Sequence, residues 1–227
     1  MVEHVSIAID GPAGAGKSTV ARIVAKRLGL LYVDTGAMYR SVAWLAVRFG
    51  VRPSDELGLT RLLDEYLLGF ERDPALGTLV VRFQNQDITP ELRSPEVSGI
   101  VSQLSVHPLV RERLTSIQRS LRRDTGVVMD GRDIGTVVMP DADVKVFLTA
   151  SLDERARRRA EEITAAQGRE VSEVSIRKSM AERDARDSSR DVAPLRPAAD
   201  AYILDSTGKS IDEVVDEILR LVRESVK

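Results

Sequence analysis

The chain has 227 residues, 43% hydrophobic and 30% charged, a length and balance that suit one soluble α/β domain with room for an inserted lobe. Its 33 basic and 35 acidic residues leave a net charge of −2, so nothing global draws it to nucleic acid or an anionic membrane, and any anion site must come from local clustering. At 4% aromatic residues there is too little for a base-stacking platform, and the absence of cysteine removes disulfides, thiolate metal sites and thiol nucleophiles.

Taken in chain order, Val5-Ser-Ile-Ala-Ile9 is a short buried strand, and Val20 to Leu28 places its apolar residues at helical spacing. Between them lies Gly11-Pro12-Ala13-Gly14-Ala15-Gly16-Lys17-Ser18-Thr19. A strand, a glycine-rich turn and a helix form the context in which this pattern cradles phosphate. The glycines let the backbone curl so that successive N–H groups face phosphate oxygens, and the helix start adds further donors and a positive dipole end. Lys17 is placed to reach the β- and γ-phosphates, and Ser18 to put its hydroxyl on Mg²⁺. The motif predicts binding of a nucleoside triphosphate.

Leu30-Leu-Tyr-Val33 is a second buried strand, ending in Asp34-Thr35-Gly36; helices are expected over 37–49 and 57–70. A hairpin follows, Leu79–Phe83 with Ile88-Thr89 across a polar turn, closed by Pro90. Helices over 95–104 and 108–123 lead to a third strand, Val127–Met129, ending in Asp130-Gly-Arg-Asp133. A fourth strand, Val144–Leu148, runs into an arginine-rich helix over 153–167 and a polar helix over 172–188. Ala201–Leu204 is the fifth strand, and an amphipathic helix over 211–226 closes the chain. Strands alternating with helices predict a five-stranded parallel sheet with helices on both faces, a P-loop NTPase-like three-layer sandwich. The expected organisation is a single domain over 1–227, with an insertion near 70–98 and a lid with its following polar helix near 153–190. No apolar run approaches the ~18 residues of a membrane span, and the first strand begins too early for a signal peptide, so a cytoplasmic location is expected.

Ligands of open parallel sheets sit beyond the carboxyl ends of the strands, and here those ends are polar, small or charged. Asp130 stands where such proteins hold Mg²⁺, directly or through water, although a capping aspartate is the plainer reading. Arg40, near a helix start whose dipole disfavours a cation, calls for an anionic neighbour: a bound phosphate or a simple salt bridge. Arg155, Arg158 and Arg159 share a helix face, with Glu154 and Arg158 also spaced for an ordinary i,i+4 pair. Arg183, Asp187 and Arg190 form one polar stripe suited either to solvent or to a ligand with phosphate and hydroxyls. A second, arginine-built anion set implies an acceptor that is itself a phosphate, for which positioning and charge neutralisation matter more than a general base.

Ile9-Asp-Gly-Pro-Ala-Gly-Ala-Gly-Lys-Ser18, Asp34-Thr-Gly-Ala-Met-Tyr-Arg40, Asp130-Gly-Arg-Asp-Ile-Gly-Thr136, Glu182-Arg-Asp-x-x-Asp187 with Arg190, and Ala193-Pro-Leu resemble the bacterial cytidylate kinase family over nearly the whole chain. The resemblance implies transfer of the γ-phosphate of ATP to CMP or dCMP, with Mg²⁺ and an enlarged monophosphate-binding lobe at the insertion. By the same resemblance Arg40 and Arg132 grip the acceptor phosphate. Ser102, Arg111, Asp133 and Arg190 face cytosine, Arg183 and Asp187 face phosphate and ribose, and Thr35 lines the pocket. Arg155 and Arg158 belong to a lid over ATP, and Lys17, Arg132, Arg158 and Arg183 are the expected catalytic set. Asp133 can accept from the cytosine exocyclic amine, which uracil lacks. A monomer binding neither nucleic acid nor membrane is expected. The competing readings are another small-acceptor P-loop kinase, for UMP, AMP or shikimate, and a nucleotide-binding module without turnover.

Overall fold

Every residue of β1 (Ser6–Asp10) is buried, as an apolar strand inside a layer covered on both faces requires. The computed structural model describes residues 4–73, 75, 77–122, 126–168 and 171–225. After β1 come α1 (Lys17–Leu28), β2 (Leu31–Asp34), α2 (Thr35–Phe49) and α3 (Glu56–Glu65). Next are β3 (Leu68–Arg72), β4 (Leu79–Phe83), β5 (Gln86–Asp87), a 3-10 turn over Glu91–Arg93, α4 (Pro95–Leu104) and α5 (Pro108–Ser120). The chain continues with β6 (Val127–Gly131), a π-helical turn (Ile134–Val138), β7 (Val144–Thr149), α6 (Leu152–Gln167), α7 (Glu173–Ser188), β8 (Tyr202–Asp205) and α8 (Ile211–Ser225).

Five strands form one sheet in the order β2-β6-β1-β7-β8, the expected α/β arrangement. β1 runs parallel to β7 with Ile7 opposite Val144, and β7 parallel to β8 with Val146 opposite Tyr202. The chain divides into two compact units: Met1–Ser6 with Ala25–Met129, and Ile7–Val24 with Asp130–Lys227.

In the first unit, Asp34 caps α2 by accepting from the Ala37 amide, and Gly50 closes that helix at φ 68°. A separate antiparallel sheet, β3-β4-β5, pairs Leu68 with Phe83 and Arg82 with Asp87. Gln84 and Asn85 both take positive φ, 48° and 67°, the twist of a two-residue hairpin turn. The helix expected over 57–70 is shorter: α3 stops at Glu65, Tyr66 is already extended, and Leu68–Arg72 becomes the longer partner of β4. Gly69 weakens a helix at that point, while a ladder to Leu79–Phe83 satisfies the backbone. The Trp44 indole N–H donates to Glu91 Oε2 at 2.7 Å and its ring lies 5.1 Å from Phe83, joining α2 to this small sheet.

The second unit holds the glycine-rich loop, the start of α1 and everything from Asp130 onward. Here α8 buries Val214, Val215, Ile218 and Val222, the apolar face expected from its spacing. α6 and α7 pack on one another as a pair.

Candidate active site

The glycine-rich loop is pressed against its surroundings at two points. Gly11, at φ 147°, runs so close to β7 that an added Cβ would stand 1.9 Å from the Leu148 carbonyl oxygen. At Gly14, φ 76°, an added Cβ would meet Met180 Cε of α7 at 2.4 Å and Arg155 Cβ of α6 at 3.2 Å. At Gly11 no side chain fits, and at Gly14 the positive φ disfavours one and Met180 would have to move.

Lys17, at the first position of α1, is 6% exposed, and its ammonium donates to the Pro12 carbonyl at 2.7 Å. Burial holds its pKa well below the usual lysine value; the Arg132 and Arg183 charges act the same way, and Asp130 and Asp10 oppose them. An anion arriving here would relieve that repulsion. The next residue, Ser18, donates its hydroxyl to Asp130 Oδ2 at 2.9 Å. Asp130 lies at the carboxyl end of β6 and is only 4% exposed. One hydroxyl beside one carboxylate suits Mg²⁺, a hard cation that keeps waters and phosphate oxygens as its remaining ligands. Among the described residues, no group of three or more His, Cys, Asp or Glu side chains could hold a metal ion.

Asp10, which the sequence did not single out, ends β1 and accepts from the backbone N–H groups of Ile134 at 2.8 Å and Gly135 at 2.7 Å. Burial pushes its carboxyl up to about 6, against the pull of those two donors. It therefore ties the strand leading into the glycine-rich loop to the turn that follows Arg132 and Asp133. Its partners lie more than a hundred positions away, so no local pattern announced it.

Arg132 Nε donates to Asp187 Oδ2 at 2.9 Å, which brings the Asp130–Asp133 segment and the polar stripe of α7 together. Asp133 and Asp187 are both buried. Arg183 belongs to α7, and its charge is among those acting on Lys17. Arg190 donates to the Ala193 carbonyl at 2.8 Å, just beyond that helix.

The two arginines that the resemblance places in a lid are held by protein groups. Arg155 is buried and donates to the carbonyls of Ala150 at 3.0 Å and Ala13 at 3.1 Å, and to Asp184 Oδ2 at 2.6 Å. Arg158 makes the i,i+4 pair with Glu154 at 2.8 Å and donates to the Ser206 carbonyl at 2.7 Å. Arg159 pairs with Glu162 on the exposed side.

In the first unit, the Asp34 carboxylate accepts from Ala37 N at 2.9 Å, from Arg40 at 2.7 Å and from Arg93 at 3.5 Å. The anionic neighbour required by Arg40 is thus present as an internal salt bridge. Thr35 is buried at the first position of α2. Arg111 of α5 is buried too, donating to the Ser105 carbonyl at 3.0 Å with its guanidinium carbon 5.4 Å from the Tyr39 ring centre. Ser102 is half-buried on α4, its carbonyl accepting from the Ser105 hydroxyl at 3.1 Å.

Known proteins fit this picture. The family model described as cytidylate kinase matches residues 7–224. The cytidylate kinase of Pelotomaculum thermopropionicum is 52% identical over 217 residues, covering 96% of this chain and 95% of that one. That of Symbiobacterium thermophilum is 50% identical over 219 residues, covering 96% of each. Among solved structures, an uncharacterized protein from Eubacterium ventriosum aligns over 96% of this chain and 98% of its own with a TM-score of 0.54 and 13% identity, a likeness of fold alone. With half of its residues shared along nearly its whole length, and with the loop, the Ser18–Asp130 pair and the Arg132–Asp187 pair in one unit, this chain belongs to the cytidylate kinase family.

Proposed function

We propose that the protein transfers the γ-phosphate of ATP to CMP or dCMP, giving ADP and CDP or dCDP. The observation that carries this reading is the 50% identity to a named cytidylate kinase over 96% of both chains. The backbone N–H groups of Ala13 to Thr19 and the Lys17 ammonium hold the triphosphate of ATP. Ser18 and Asp130 would hold Mg²⁺, whose charge would offset that of the β- and γ-phosphates. Arg132 and Arg183 neutralise charge on the acceptor phosphate and on the phosphoryl group in transit, with Asp187 keeping the Arg132 fork oriented. Asp133 and Arg190 read cytosine. Thr35, Arg40, Ser102 and Arg111, all in the first unit, keep the acceptor-binding roles that the resemblance implies. Arg158 closes over ATP after leaving Ser206.

No base is needed, because the acceptor oxygen is already anionic at neutral pH. The protein's task is to align two polyanions, cancel their repulsion and exclude water, which would otherwise take the phosphoryl group. The insertion near 70–98 and the lid near 153–190 are the segments assigned to that closure. Among the described residues, no helix is long and apolar enough to cross a membrane. We place the protein in the cytoplasm as a monomer, since the donor loop, Arg132, Arg183 and Asp187 all belong to one unit of one chain.

The deciding experiment measures ADP release from ATP and Mg²⁺ over a panel of nucleoside monophosphates. CMP and dCMP should give the highest kcat/KM. A preference for AMP, GMP or UMP would defeat the assignment, and no ADP with any acceptor would leave only a binding module.

A further inference from the structure

Arg155 stands out among the arginines. It is 7% exposed, and its guanidinium bonds to groups from three parts of the second unit. Nε holds the Ala150 carbonyl at the end of β7, while Nη1 holds both the Ala13 carbonyl of the glycine-rich loop and Asp184 Oδ2 of α7. The other oxygen of Asp184 is buried without a hydrogen-bond partner, so that carboxylate is committed to Arg155. One turn earlier on α7, Met180 covers Gly14 so closely that a Cβ there would be 2.4 Å from its methyl carbon.

The peptide unit joining Ala13 to Gly14 is planar and trans, so its C=O and N–H point in opposite directions. With the Ala13 oxygen fixed toward Arg155, the Gly14 N–H is fixed away from it. Gly14 sits at φ 76° and carries no side chain, so its own conformational preference does not fix that peptide's orientation, and neighbouring groups must. A flipped peptide would present a carbonyl oxygen where a loop that cradles phosphate needs a donor.

We infer that Arg155, held by Asp184, is a positioning residue that locks the Ala13–Gly14 peptide of the phosphate-binding loop, and that it acts through this backbone rather than by touching ATP. α7 thereby braces the donor loop with Asp184 and Met180 while carrying Arg183 and Asp187 on the same helix. This rests on the proposed reading of the loop as the ATP site, and it replaces the ATP contact that resemblance gives to Arg155.

The two roles predict opposite outcomes. If Asp184 merely kept Arg155 from a phosphate, Asp184→Asn would free the guanidinium and ADP would bind more tightly. If Arg155 is a brace, Asp184→Asn loosens the loop, and the Kd for ADP, read by titration calorimetry, should rise about tenfold, the loss expected for a charge-assisted hydrogen bond. Arg155→Lys keeps the charge but cannot reach Ala13, Ala150 and Asp184 together, so it should weaken ADP binding similarly. Combining the two substitutions should add little further. The affinity for CMP should stay within about twofold of the parent, a split that general loosening of the fold would not produce. Unchanged or tighter ADP binding in folded Asp184→Asn overturns the inference; should that variant fail to fold, Asp184→Ser, which also takes the carboxylate from Arg155, decides by the same readout. ADP titration needs no acceptor, so loss of the CMP assignment in the turnover panel would show separately from failure of the brace.

Discussion

Arg132 and Asp187 hold each other at 2.9 Å, with the Asp187 side chain only 7% exposed. Asp187 takes the Arg132 Nε, and the outer edge of the fork is the edge suited to a phosphate. Asp187→Asn removes the charge and leaves the shape. KM for CMP should rise about tenfold while KM for ATP changes little, as initial-rate kinetics with each substrate varied would report. Equal changes in both constants would mean that Asp187 supports the fold generally.

Lys17 sits where its charge is disfavoured: burial, with the Arg132 and Arg183 guanidiniums, holds its pKa well below the usual lysine value. Replacing it with methionine should cut kcat by about a hundredfold or more, the size seen when one preorganised donor to a developing charge is lost. The folded state should not weaken: thermal unfolding at neutral pH is expected at or above the parent temperature. A Lys17→Met protein that turned over normally would remove the loop from the chemistry.

Asp133 is the residue proposed to accept from the cytosine amine. UMP lacks that amine, so the hydrogen bond from the base would be lost, a penalty of about 1–3 kcal/mol, or roughly ten- to a hundredfold in kcat/KM. Asp133→Ala should narrow the CMP-to-UMP ratio by about that factor. The same ratio in the variant would take Asp133 out of base recognition.

Asp10 provides a pH-dependent test. Its carboxyl is pushed up from 3.8 to about 6, so the folded protein holds that proton more tightly than the unfolded chain does. Its contribution to stability is therefore complete below about pH 4 and lost as pH rises through about 6. The shift is worth at most about 3 kcal/mol. Asp10→Asn cannot titrate, so relative to the parent it should gain stability between about pH 4.5 and 7.5, followed by thermal melts. A constant difference across that range would show that the group titrates normally.

Much of this was legible from residue order because the relevant signals are local. The loop from Gly11 to Thr19 announces itself through glycine spacing between a strand and a helix, and α2, α4 and α8 follow their apolar periodicity and caps. What escaped depends on partners far along the chain. Residues 66–70 look helical until β4 offers Leu68–Arg72 a ladder, and Asp10 looks like any strand-end aspartate until Ile134 and Gly135 arrive. The resemblance puts Arg155 in a lid, and nothing in the order of residues puts it on the Ala13 carbonyl, which lies 142 positions earlier.

Asp34 serves three donors at once, and one of them is Arg40, near the end of a helix where a cation is unwelcome. Among orthophosphate and stray organic anions, an unescorted guanidinium would be occupied continually. Because one nitrogen of this guanidinium already has a companion, a visitor meets a carboxylate beside it, and a monoanion of no particular shape gains little. On the proposed role of Arg40 in gripping the acceptor phosphate, selectivity begins before any base is read, with an incumbent that favours a well-fitted guest.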